Sequence, residues 1–106
     1  MSKYYNKKTQ TIDGMVFDSR KEALRYGELK LMERAGLVKD IQTQVKFELI
    51  PKQDGERACY YIADFVYTDC ETGQKAVEDT KGYKTEVYRI KRKLMLYRHN
   101  IKIKEV

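Results

Sequence analysis

Two β-type runs that each carry acid chemistry constrain this chain most. The first is Tyr61-Ile62-Ala63-Asp64-Phe65-Val66-Tyr67, and the second is Ala76-Val77-Glu78-Asp79-Thr80-Lys81-Gly82. Asp79 and Lys81 stand two residues apart, so on a strand they point to the same face. A hairpin joining the runs brings Asp64 close to that pair. Two carboxylates and a lysine converging on one face can hold a divalent metal and stabilise charge on a phosphate under attack.

The rest of the chain bounds this reading. At 106 residues it is expected to form one domain, 1–106, with 1–8 as a flexible N-terminus. Such a domain buries roughly two-thirds of its unfolded surface and needs no staple. The net charge of +6 favours a polyanionic partner such as nucleic acid, or only a soluble basic surface. No apolar run approaches the ~20 residues that span a bilayer. The N-terminal residues lack the apolar stretch of a signal peptide. An intracellular location follows as the expectation. Cys59 and Cys70 form no CxxC pattern and read as free thiols, and His99 is the lone histidine. A bound metal must therefore be held mainly by oxygen, which points to magnesium or manganese.

Along the chain, Thr9–Ile12 and Met15–Phe17 flank Asp13-Gly14, the signature of a hairpin with a two-residue turn. Ser19 caps a helix that runs to about Ala35-Gly36. Leu24, Gly27, Leu31 and Ala35 make one small-to-apolar stripe on it, while Tyr26, Leu29 and Met32 lie elsewhere. Residues 41–50 alternate as a strand, with Val45, Phe47 and Leu49 on one side. Strands at 58–67 and 74–81 follow. A helix from about Thr85 to Arg98 shows a stripe of Val87, Ile90, Leu94 and Tyr97 as its buried face. Residues 101–106 suit an edge strand. After the opening hairpin the order is αβββαβ, an α/β fold.

Other residues have two readings each. Glu22 completes a capping box with Ser19, or it points into the acidic cluster as a further ligand. Gln44 orients a water at the site or faces solvent. Glu78, beside Asp79, faces the other side of its strand and is a ligand only if the strand bulges. Lys84, Tyr88, Arg89, Lys91, Arg92 and Lys93 contact a nucleic-acid backbone or form a solvated helical face. The chain lacks a phosphate-binding glycine loop, a zinc-finger pattern and a nucleophile elbow.

These elements together resemble the PD-(D/E)XK nuclease superfamily. Within it the chain is similar to small phage-encoded proteins sharing Gly14, Phe17, Ser19, Glu22, Ala23 and Tyr26, then Ala63-Asp64-Phe65, Val77 to Gly82, and Thr85, Tyr88 and Lys91. The resemblance spans about residues 12–106. It implies a restriction-endonuclease-like core with a central mixed sheet flanked by helices. It also implies Asp64 and Asp79 as the motif acids, Lys81 as the motif lysine, and Glu22 as the acid on the first helix. Ala63 stands where some members have proline, and Asp79 where glutamate is commoner. The implied activity is Mg2+- or Mn2+-dependent cleavage of DNA, with branched or junction DNA in phage recombination or replication as substrate. A location in the host cytoplasm completes what the resemblance implies, and the small size of the domain, which offers few surfaces for gripping two DNA strands, makes a homodimer the expectation. The competing readings are a non-catalytic DNA-binding module on the same fold and a phage factor that binds another protein.

Overall fold

The computed structural model of the protein describes residues 9–10 and 14–106. The expected flexible segment 1–8, the end of the expected first strand (Thr11, Ile12) and Asp13 of the expected turn lie outside the described residues. The elements are β1 (Thr9–Gln10), β2 (Val16–Phe17), α1 (Arg20–Arg34), β3 (Val38–Ile50), β4 (Cys59–Asp69), β5 (Lys75–Asp79), α2 (Glu86–His99) and β6 (Lys104–Glu105). The fold is mixed α/β, and the element order is the one read from the sequence. β1 and β2 pair antiparallel, with Thr9 opposite Phe17. A four-stranded mixed sheet has the order β3-β4-β5-β6. The β3–β4 and β4–β5 pairs are antiparallel, and β5–β6 is parallel across the α2 crossover.

Local chemistry sets the ends of the helices. The Ser19 side chain accepts a hydrogen bond from the Glu22 N–H at 3.1 Å, capping α1. Gly36 takes φ +80° just past its end, a conformation that favours glycine. Thr85 caps α2 in the same way, accepting from the Tyr88 N–H at 3.1 Å. Asn100 ends α2 in the left-handed region.

Two apolar clusters hold the layers together. One joins Leu49, Tyr61, Ala63, Val66 and Val77 of the sheet to Tyr88 and Met95 of α2 and to Ile103. The other joins Phe17, Val38, Phe65 and Tyr67 to Ala23, Tyr26 and Leu29 of α1. Val45, Phe47 and Leu49 belong to the first cluster together, in accord with their alternation.

Both helices bury a different face from the one their periodicity suggests. On α1, Leu24 and Leu31 are exposed, and Ala23, Tyr26 and Leu29 pack inward. On α2, Val87, Ile90 and Tyr97 are exposed, Leu94 of the expected stripe packs against the first cluster, and Tyr88 and Met95 are buried. Each helix carries two apolar stripes, and anchors distant in sequence choose between them. On α1, Arg25 reaches Glu78 of β5. On α2, Tyr88 and Arg92 both reach Glu105. Among the described residues, no helix is long and apolar enough to cross a membrane.

Candidate active site

The site is built where β4 and β5 run side by side. Phe65 pairs with Glu78, so Asp64 and Asp79 are the next residues across the ladder. Neighbouring cross-strand positions place such side chains within ~5.5 Å at Cβ. Asp79 is almost fully buried. Its Oδ2 accepts a hydrogen bond from the Tyr61 hydroxyl at 2.7 Å, and its Oδ1 accepts one from the Lys81 N–H at 2.8 Å. Asp64 is half-buried. Its Oδ2 accepts from both the N–H and the hydroxyl of Thr80, at 2.8 and 2.9 Å. Its Oδ1 has no hydrogen-bond partner among the described residues.

Lys81 lies beyond the end of β5, which closes at Asp79. Strand pleating therefore does not aim it, as the D-x-K spacing suggests. The hydrogen bond from its backbone to Asp79 does. Its Nζ reaches 3.8 Å from Asp79 Oδ2 and lies 5.3 Å over the Tyr88 ring, with the side chain 46 % exposed. This leaves the ammonium able to meet a ligand from solvent.

Glu22 makes the capping contact and also lies in the electrostatic field of the acidic residues. Its backbone N–H is capped by Ser19. Its carboxylate faces Gln44, whose amide donates to Oε2 at 3.4 Å. Burial, then the charges of Asp64 and Asp18, push the Glu22 carboxyl up to about 7. Asp79 adds to that rise. One electrostatic neighbourhood thus contains Glu22, Asp64 and Asp79.

Glu78 points the other way. It is fully buried and receives a bidentate pair from Arg25, at 2.8 and 2.6 Å, with a further hydrogen bond from the Tyr67 hydroxyl. Burial pushes its carboxyl up, but the Arg25 and Tyr67 hydrogen bonds outweigh that and hold it below its usual value. β5 carries no bulge that turns Glu78 toward Asp79, because the pairing with β4 is continuous. Its reading as a backup ligand is corrected to a structural ion pair.

The residues expected to contact nucleic acid divide into two groups. Tyr88 is buried and donates its hydroxyl to Glu105 at 2.8 Å, so it is packing and not a surface contact. Lys84 and Arg92 also pair with Glu105, at 3.9 and 3.0 Å. Arg89, Lys91 and Lys93 have no ion-pair partner among the described residues.

Sequence reasoning missed Tyr61 and Thr80. Tyr61 stands three residues from Asp64, so on a regular strand the two face opposite ways. It meets Asp79 because β4 changes sides near Asp64. Tyr61 and Ala63 join the α2-side cluster, while Phe65 and Tyr67 join the α1-side cluster. No local signal encodes that change. Thr80 was readable only as part of the acidic run.

All donors at the site are oxygens, which suits a hard divalent cation. Among the described residues, no group of three or more carboxylate, histidine or cysteine side chains is arranged to hold a metal ion. The fit therefore rests on Asp64 and Asp79 at adjoining positions, with Glu22 feeling their charge. No curated protein and no solved structure matches the chain. Residues 1–105 match the family described as "Protein of unknown function (DUF1064)". The match covers nearly the whole chain, which therefore belongs to the DUF1064 family.

Proposed function

We propose that this protein is a metal-dependent DNA endonuclease built on a PD-(D/E)XK core. The observation that carries the reading is the opposition of Asp64 and Asp79 at the β4–β5 ladder end, with the Lys81 ammonium 3.8 Å from Asp79 and Glu22 feeling the charge of both acids. Asp64 and Asp79 would hold magnesium or manganese, with Glu22 as a further oxygen donor. The ion, when bound, neutralises phosphate oxygens and makes water a stronger nucleophile.

The chain's own residues supply the remainder. Tyr61 and the Lys81 N–H fix the Asp79 carboxylate, and Thr80 fixes Asp64. These ligands are thus oriented before substrate arrives. The Lys81 ammonium neutralises negative charge that builds on the phosphate as it is attacked. Glu22, whose carboxyl sits near 7 without metal, gives up its proton to serve as that further oxygen donor. In the reaction a water oxygen bonds to phosphorus as it gives up a proton to solvent, the bond from phosphorus to the leaving sugar oxygen breaks, and that oxygen takes a proton from solvent. Arg89, Lys91 and Lys93 supply unpaired positive charge for the DNA backbone.

The test is a cleavage screen over forked, four-way, linear and single-stranded DNA, with and without manganese. Cleavage that appears only with the metal supports the reading. Binding to all four substrates with no cleavage of any contradicts it and favours a binding module.

A further inference from the structure

A second feature adjoins the acidic site. Between β4 and α2 lies a cavity of about 220 Å3. Buried Tyr61 and Tyr88 rings line it, and Lys81 and Lys91 add positive charge. Both floor hydroxyls are engaged, Tyr61 on Asp79 and Tyr88 on Glu105, so neither ring turns freely. Exposed Tyr60, Ile62 and Val87 make an apolar wall, and the Thr85 side chain adds polarity. Lys46 lies 4.5 Å over the Tyr60 ring, which adds a further cation at this edge. Lys91 has no ion-pair partner among the described residues.

This composition discriminates between ligands. Contact with a duplex backbone needs cations and polar groups and leaves an apolar wall without a role. Aromatic and apolar groups interleaved with lysines are the chemistry of an unstacked base with its phosphate. The size agrees, because 220 Å3 falls below the ~300–1,000 Å3 of sites for drug-sized ligands. It suits one base, with the sugar and phosphate left outside toward the lysines. The cavity also shares Lys81 with the acidic site, and its Tyr61 holds Asp79. A nucleotide whose base is seated there places its neighbouring phosphate beside the carboxylates.

We propose that this cavity receives the base of one unpaired nucleotide of the DNA, next to the bond to be cut. The substrate class is therefore DNA with a single-stranded flap or an unpaired branch, and not uninterrupted duplex. This inference rests on the reading of Asp64, Asp79 and Lys81 as a cleavage site.

The test measures binding without metal, so that it is independent of cleavage. Fluorescence anisotropy in EDTA compares a blunt duplex with the same duplex carrying a short single-stranded flap. The wild-type protein should bind the flapped DNA about tenfold more tightly. Tyr60→Ala should reduce that ratio to within about twofold, whereas Tyr60→Phe, which keeps the ring, should retain it. Lys91→Ala, on an exposed helix, should lower the ratio as well and serves if Tyr60→Ala does not fold. Equal wild-type affinity for the two DNAs overturns the proposal. So does a ratio that survives both Tyr60→Ala and Lys91→Ala. Cleavage of the same DNAs in manganese separates the two claims. A flap preference with no cleavage upholds the cavity and overturns the nuclease reading. Cleavage of blunt duplex with no flap preference does the reverse.

Discussion

Gln44 stands directly across the β3–β4 ladder from Asp64, and its backbone is left-handed. The flanking pairs Thr43–Phe65 and Val45–Ala63 fix this opposition, and Gln44 has φ +53°. A non-glycine residue in that region inside a strand is strained, and such strain gathers at functional sites. Here it coincides with the side change of β4 and with the contact from Gln44 to Glu22. The strained residue thus links the first helix to the acid on the sheet.

Replacing Gln44 with glycine separates strain from function. Left-handed backbone costs a non-glycine residue about 1–2 kcal/mol, and glycine's own entropy offsets part of the gain. Gln44→Gly should raise stability by about 0.5–1 kcal/mol in denaturant unfolding. It should also lower cleavage, because the amide facing Glu22 is lost. A loss of stability instead would mean that the side chain holds the bend in place.

The Arg25–Glu78 pair is predicted to serve the fold and not the chemistry. Glu78 is fully buried, and the Arg25 side chain is 18 % exposed. Arg25→Ala leaves a buried carboxylate without its partner and should cost about 3–5 kcal/mol. Adding Glu78→Gln to that variant should recover part of the loss. Full additivity of the two changes in urea unfolding would contradict the coupling.

Glu22 gives a pH signature. Its carboxyl rises from an ordinary 4.5 to about 7 through burial and the charge of Asp64, with Asp18 and Asp79 adding to it. Between those two values the folded protein holds a proton that the unfolded chain releases. Metal-free stability should therefore fall as pH rises through that window, by about 1–2 kcal/mol after solvent screening. Glu22→Gln should flatten the slope. Manganese should raise the melting temperature more at pH 8 than at pH 5, since only the ionised carboxyl binds it. An equal effect at both pH values would remove Glu22 from the ligand set.

Much of this arrangement was legible in the sequence because it is local. Ser19 and Thr85 mark helix starts, and Gly36 marks an end. The helix faces were not legible. Val87, Ile90 and Tyr97 form as good a stripe as Tyr88 and Met95, and only the distant Glu105 decides between them. The same held for α1, where the Arg25–Glu78 pair turns Leu24 outward. Tyr61 at Asp79 was hidden because it depends on the side change in β4. Ile90→Glu checks the corrected α2 face. It should change stability by no more than about 0.5 kcal/mol, whereas a buried Ile90 would cost several times that.

The most direct measurement is the rate of DNA cleavage in manganese for wild type, Asp64→Asn and Lys81→Ala, each first confirmed as folded by thermal unfolding. If the proposed site carries the reaction, loss of one of its charges should slow cleavage at least about a hundredfold in either variant. Wild-type rates in both variants would show that these side chains do not carry the reaction.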